Sequence, residues 1–260
     1  MSDPTLLSYW FPLVRAAGLP VPKTEIVAQG VSSDALFDFI GEDPRSPESP
    51  AKVNALIWAV QDAGDRLGWP CFLRTGLFSG KHGWKSTCCV RTADVVAGHI
   101  AEIFTDSQCV DMWGLDSSEW VVREMLKTRA LFYAFYGQMP ITRERRYFVR
   151  DGEIVWRQPY WPPYSIEGHN PSVENWREIL EADNARMPQE DEELSALSLR
   201  VSAAVPGYWS VDWLWTMDRG WVLTDMAVGD QSFRWDPAAP VEPEPKVDLE
   251  KYFDKEEPRG

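Results

Sequence analysis

The chain has 260 residues, enough for one large domain or two lobes with a sizeable buried core. Its 26 Lys+Arg stand against 40 Asp+Glu, a formal net charge of −14, which argues against a binder of duplex nucleic acid, since that task needs a basic surface. Four cysteines without a C-x-x-C pair and three scattered histidines make a zinc site unexpected; the lack of a signal peptide or long apolar run predicts a cytoplasmic chain with reduced thiols and no membrane partner.

In chain order, "PTLLSYWFPLVRAAGLP" predicts an amphipathic helix stopped by Gly18 and Pro20, followed by an extended arm into a strand. Residues 31–39 and 50–68 read as helices, the second apolar at Val53, Ile57, Val60 and Leu67. "WPCFLRT" predicts a short buried strand, and "TADVVAGHIAEIFTDS" a helix. "WVVREML" and "LFYAFYG" read as strands, and "ERRYFVRDGEIVWRQPYW" as two strands about a turn at Asp151-Gly152. Helices are expected near 172–184 and 190–204, then a hairpin in "YWSVDWLWTMDRGWVLTDMAV" turning at Asp218-Arg219-Gly220. Beyond Trp235 the chain is rich in proline and charge and reads as a tail or surface strap, with Tyr252 and Phe253 as its anchor. The expected class is α+β, with strands grouped in hairpins rather than in a Rossmann-like alternation.

The loop "TGLFSGKHGWKSTCC" (75–89) carries glycines, lysines and hydroxyls, the material of a phosphate cradle. It is not a Walker loop: from Gly76 the spacing is one residue short and His82 stands where a hydroxyl belongs, and from Gly83 a tryptophan intervenes before Lys85-Ser86. A lysine-bearing surface loop with Trp84 tucked inward is the competing reading.

Charged residues also interrupt the strands: Arg74, Arg123, Glu124, Glu144, Arg145, Arg146, Asp212 and Asp225. Taken singly, each fits a solvated strand face. As a set they offer more. Counting from the hairpin turn places Asp225 nearly opposite Asp212, a repulsive pairing unless a cation sits between them. Arg74, Lys81, Lys85 and Arg146 supply a cationic cluster in an acidic chain. Carboxylates for magnesium with cations for phosphates are the equipment of a nucleoside triphosphate site.

The order of "GLPVPKTEIV", "FLRTGLFSGKHGWKSTC", "WVVREML", "MPITRERRYFVRDGEIV" and "YWSVDWLWTMDRGWVLTDMAVGDQS", spread over residues 18 to 232, resembles the ATP-grasp superfamily, most closely small phage-type ATP-grasp proteins. A fainter likeness is to the cell-division-cycle family that assembles a translation initiation factor. The resemblance implies an α+β fold whose two lobes grip ATP between antiparallel sheets. It divides the chain into an N-terminal helical or substrate subdomain (1–70), an N-lobe (71–127), a C-lobe (128–235) and the tail (236–260). It implies Arg74 in the place of the first phosphate-binding lysine, with Lys81 and Lys85 on the loop covering the phosphates. Glu124, Met125 and Leu126 would form the hinge that reads adenine and ribose. Arg146 would meet the γ-phosphate, with Arg145 as its neighbour, and Asp212 and Asp225 would hold Mg2+. Arg146 and Lys85 carry the catalytic expectation. One departure stands out: where the family has an acid, one residue and an asparagine, this chain has Asp225-Met226-Ala227, so that Asp230 or Gln231 must substitute or a metal site is weakened.

The implied activity is that of an ATP-dependent carboxylate–amine (or carboxylate–thiol) ligase working through an acylphosphate, with small-molecule or peptide carboxylates and amines as substrates. That chemistry needs positioning and charge stabilisation rather than a protein nucleophile, and the chain offers no Ser/His/Asp or Cys/His arrangement. The alternative is an ATP-binding assembly or interaction protein without turnover. A lysine–AMP nucleotidyl transferase lacks its K-x-D-G motif here.

Overall fold

The computed structural model describes residues 3–41, 46–110 and 114–238. Helix α1 (Leu7–Ala16) buries Leu7, Trp10, Phe11 and Val14, the i, i+3, i+4, i+7 stripe of an amphipathic helix. It ends where Gly18 takes a left-handed φ of 66° and donates its N–H to the Arg15 carbonyl. Strand β1 (Thr24–Ala28) follows, then α2 (Ser33–Ile40), α3 (Ser49–Leu67), β2 (Cys71–Thr75), β3 (Cys89–Val90), α4 (Val96–Gln108) and β4 (Trp120–Glu124).

These strands form an antiparallel sheet in the order β1-β4-β2-β3. Strand alternation sends Cys71, Leu73, Trp120 and Val122 to one face, where they meet Leu36, Val53, Val60, Ile100 and Phe104 of the three helices. Burial of these apolar side chains is the main force holding this lobe together. The other face carries Phe72, Arg74, Val121 and Arg123.

The second lobe begins with the small hairpin β5 (Phe132–Ala134) and β6 (Met139–Ile141), continues through β7 (Glu144–Arg150), β8 (Glu153–Pro159), α5 (Trp176–Asn184) and α6 (Met187–Ala204), and closes with β9 (Tyr208–Thr216) and β10 (Gly220–Val228). Its antiparallel sheet runs β10-β9-β7-β8. Asp151 and Gly152 turn β7 into β8 with φ of 49° and 85°, the paired positive values that a two-residue hairpin loop needs. One face packs Tyr147, Val149, Val211 and Trp213 against α6 and α1; the other, bearing Arg146, Asp212 and Asp225, turns to the first lobe.

Two expectations are revised here. Residues 1–70 do not stand apart: β1 is a strand of the first sheet, α2 and α3 cover it, and α1 joins the core of the second lobe. Arg145 does not neighbour Arg146 in a phosphate site, because adjacent strand residues point to opposite faces. Its fully buried guanidinium reaches Asp183 at 3.0 Å and Glu190 at 2.8 Å, tying β7 to α5 and α6. The anchor expected at Tyr252 and Phe253 lies outside the described residues. Within them, the segment after β10 straps β8, Trp235 donating its backbone N–H to Gln158 and its ring N–H to the Pro159 carbonyl, each at 3.0 Å.

Candidate functional site

The two sheets face each other across a cleft of about 880 Å³, part of it open solvent. From the first lobe come Arg74 and Arg123; from the loop after β2, Lys81 and Trp84; from the segment after β4, Glu124, Met125 and Leu126; from the second lobe, Glu144, Tyr160, Asp212, Thr224 and Asp225.

The loop between β2 and β3 is built by local hydrogen bonds. Thr75 and Phe78 bond each other, the Thr75 N–H donating to the Phe78 carbonyl at 2.9 Å. Gly80 takes a φ of 58°, and a short helical turn at Lys81–Gly83 follows. The Thr87 hydroxyl donates back to the Gly80 carbonyl. A Cβ at Gly83 would lie 2.8 Å from a Thr87 methyl group, so a larger residue there must displace the Thr87 side chain that closes the loop. Cys88 is buried, and burial pushes its thiol pKa up to about 12, as it does for Cys71; neither is a thiolate nucleophile at neutral pH.

This folding delivers Lys81 to the cleft but not Lys85. The Lys81 Nζ is 3.4 Å from Glu144 Oε2, 3.9 Å from the Tyr160 ring centre and 4.6 Å from that of Trp161. Burial works against its charge, but Glu144 and then Tyr160 outweigh burial and raise its pKa. Glu144 is fixed in turn by Thr142 Oγ1 at 2.9 Å and Trp161 Nε1 at 3.0 Å. Lys85 is exposed and does not line the cleft.

On β7, Arg146 grips Asp212 of β9 with both prongs, Nε to Oδ1 at 2.7 Å and Nη2 to Oδ2 at 2.8 Å. Asp212 pairs in register with Asp225 of β10: counting from the turn puts Thr224 opposite Asp212, and the bulge between Leu223 and Asp225 brings Asp225 there instead. Burial raises the Asp212 carboxyl above its ordinary range despite the pull of Arg146, and Asp225 adds to the rise. Asp225 Oδ1 lies 2.9 Å from Arg74 Nη1, so each carboxylate is met by an arginine, one from each lobe. Among the described residues no group of three or more His, Cys, Asp or Glu side chains stands ready for a metal. Two carboxylates nonetheless fit Mg2+, which binds through one or two of them and completes its shell with water and substrate phosphates. Ala227, beyond Asp225, offers no ligand; Asp230 pairs with Arg150 at 3.8 Å, and neither it nor Gln231 lines the cleft.

At the hinge, Glu124 accepts from the Lys23 backbone N–H at 2.6 Å and pairs with Arg219 at 2.9 Å, while Met125 and Leu126 line the wall. Arg74, Lys81, Glu124, Met125, Leu126, Arg146, Asp212 and Asp225 thus gather at one place, Arg146 through its grip on Asp212. The sequence reading assigns no role to Glu144 or Arg123, which also border the cleft, as does Tyr160 from a stretch that reads either as a substrate-groove wall or as a rigid surface loop. Arg123 and Glu144 carry the same signal, a charge interrupting a strand, in "WVVREML" and "ERRYFV"; Tyr160 lies in the aromatic, proline-rich stretch of residues 157–170.

No protein-family model and no curated protein matches the sequence. Solved structures do match in shape. A C-terminally truncated Cdc123 from Schizosaccharomyces pombe superposes with a TM-score of 0.54 at 16% identity, covering 86% of this chain and 83% of that one. The Cdc123 structure from the same organism gives 0.52, at the same identity and coverage. A RimK domain protein ATP-grasp from Sphaerobacter thermophilus DSM 20745 covers 86% of this chain and 58% of its own, at 13% identity and a TM-score of 0.44, a more distant likeness. With two antiparallel sheets facing one cleft and helices on their outer faces, the chain is α+β and shares its fold with the Cdc123 structures.

Proposed function

We propose that the cleft binds ATP with Mg2+ and that the protein is an ATP-dependent carboxylate–amine or carboxylate–thiol ligase working through an acylphosphate. The observation that carries this is the gathering of Arg74, Lys81, Arg123, Arg146, Asp212 and Asp225 around one cleft, in a chain whose net charge is −14. Arginines and a lysine at the phosphates lower the repulsion that an incoming carboxylate oxygen meets. Asp212 and Asp225 are the residues that would hold the cation, whose chemistry is to neutralise charge on the phosphate oxygens. The backbone of Met125 and Leu126 would read the adenine edge, with Glu124 at the ribose. Tyr160 and Trp161 wall the approach beside Lys81 and suit the acceptor carboxylate's carbon skeleton. Small-molecule or peptide carboxylates and amines are the substrates of this reading.

A second reading, an ATP-binding assembly protein without turnover, is favoured by one observation: Ala227 leaves the metal site with two carboxylates, both engaged by arginines. The experiment that separates them incubates protein, ATP and Mg2+ with pooled amino acids and small acids in the presence of hydroxylamine. A ligase releases ADP and yields a hydroxamate. ADP release without hydroxamate in any pool contradicts the acylphosphate, and ATP binding without ADP supports the second reading.

A further inference from the structure

Lys81 reaches the cleft on a flexible four-carbon stem, and its ammonium rests in a small box built by the second lobe. Glu144 Oε2 lies 3.4 Å from Nζ, and the ring centres of Tyr160 and Trp161 lie 3.9 and 4.6 Å from it. One carboxylate oxygen and two aromatic faces are the equipment that holds an alkylammonium group.

The box keeps its shape without the lysine. Glu144 Oε1 accepts from Thr142 Oγ1 at 2.9 Å and from Trp161 Nε1 at 3.0 Å, which fixes the carboxylate and one ring to each other. The Tyr160 backbone N–H donates to the Glu144 carbonyl at 3.1 Å and sets the second ring. Among the described residues the only hydrogen-bond partner of Oε2 is Lys81, and 3.4 Å is long for a charge-assisted contact, usually about 2.7–2.9 Å. Glu144 is only 8% exposed, and a buried carboxylate left without a cation is strongly destabilising.

The box also opens in the right place. Lys81, Glu144 and Tyr160 line the cleft, and Trp161, 4% exposed, closes the back. Arg146, two residues along β7 on the same face as Glu144, has its guanidinium carbon 4.7 Å from the Tyr160 ring centre. The box therefore adjoins the place where an acylphosphate would form. Once Lys81 passes to the phosphates, Glu144 is left facing the cleft in need of another cation.

We propose that the box of Glu144, Tyr160 and Trp161 binds the ammonium group of the amine substrate, and that the Lys81 side chain occupies it in the ligand-free protein. The proposal rests on the reading of the cleft as a ligase site for ATP. Within that reading it selects the amine over the thiol as nucleophile, since a neutral thiol brings no charge to Glu144.

The test uses methylammonium chloride as probe, with sodium chloride at the same ionic strength as control, read by calorimetry and thermal unfolding. Lys81→Ala empties the box, so this variant binds methylammonium and gains melting temperature from it, whereas Lys81→Ala with Glu144→Gln binds it about tenfold more weakly or worse. Wild-type protein binds methylammonium only when saturated with a non-hydrolysable ATP analogue and Mg2+. If it binds the analogue and still takes no methylammonium, the proposal is overturned and the nucleotide reading survives. If no nucleotide binds, that reading fails, and the box is judged on Lys81→Ala: methylammonium binding that is lost with Glu144→Gln supports it, and no binding, or binding indifferent to Glu144, overturns it. Should Lys81→Ala not fold, analogue-saturated wild type and Glu144→Gln are compared, and equal methylammonium affinities overturn the proposal.

Discussion

Arg146 holds both oxygens of Asp212, at 2.7 and 2.8 Å, across adjacent strands of one sheet. The two residues assigned to opposite ends of the chemistry, one to phosphate and one to metal, are each other's partners in the ligand-free protein. On the proposed reading, binding of a magnesium–nucleotide complex would be an exchange: the arginine would pass to a phosphate and the carboxylate to the cation, leaving neither charge bare.

The first prediction follows from that pair. Asp212→Asn strands a largely buried guanidinium and lowers unfolding stability by on the order of 3 kcal/mol in urea titration. Replacing both residues together, Arg146→Met with Asp212→Leu, recovers most of the loss. A single Asp212→Asn variant as stable as wild type contradicts the pairing.

The second distinguishes the two loop lysines. Lys81 is held in the cleft by Glu144 and Tyr160, whereas Lys85 points to solvent. Lys81→Ala weakens ATP binding about tenfold or more, as expected for losing a charge-assisted contact. Lys85→Ala has the smaller effect. Calorimetry giving the reverse order shows that the loop rearranges around the ligand and brings Lys85 in.

Ala227 lies two residues beyond Asp225 on β10 and is exposed. Alternation puts the two on one face. Ala227→Asn restores the missing oxygen ligand without disturbing the core and tightens the Mg2+ dependence of ATP binding severalfold. Unchanged magnesium titration curves place the cation elsewhere.

Much of this arrangement was legible in the residues, for reasons that can be named. The β9–β10 hairpin has nine-residue strands and a glycine-bearing turn, so counting outward from the turn placed Asp225 nearly opposite Asp212, one residue off; the β-bulge that completes the pairing left no mark in the sequence. The loop of 75–89 showed its lysines and glycines openly. The β5–β6 hairpin was read only as one strand in "LFYAFYG", because three-residue strands are too short for any period and the turn places Phe135 and Tyr136 at φ of 51° and 61°. Such values are rare for bulky aromatic residues. Nor did strand alternation alone say which lysine of the loop reaches the cleft, since that depends on the Glu144–Trp161–Tyr160 pocket, assembled from residues more than sixty positions away.

The fourth prediction concerns pH. The His82 ring stacks on Phe135 at 4.0 Å between centres, and His169 lies 4.6 Å from the same ring. The His82 side chain is partly exposed, but desolvation where its ring lies on Phe135, with Lys81 and His169 nearby, lowers its pKa. An unfolded histidine takes its proton near 6.5, so between that value and the lower folded one the unfolded chain binds more protons and stability falls as pH drops. NMR titration is expected to find His82 neutral well below pH 6. An ordinary histidine titration contradicts the stacked loop.

The central claim is that the cleft is a magnesium–ATP site, and its most direct measurement is a crystal structure with a non-hydrolysable ATP analogue and Mg2+. The account predicts the triphosphate between the lobes, in contact with Arg74, Lys81 and Arg146, adenine against Met125 and Leu126, and a cation bridging Asp212 and Asp225 to the phosphates. A nucleotide bound outside this cleft, or a cleft left empty with Arg146 still on Asp212 under saturating analogue, contradicts it.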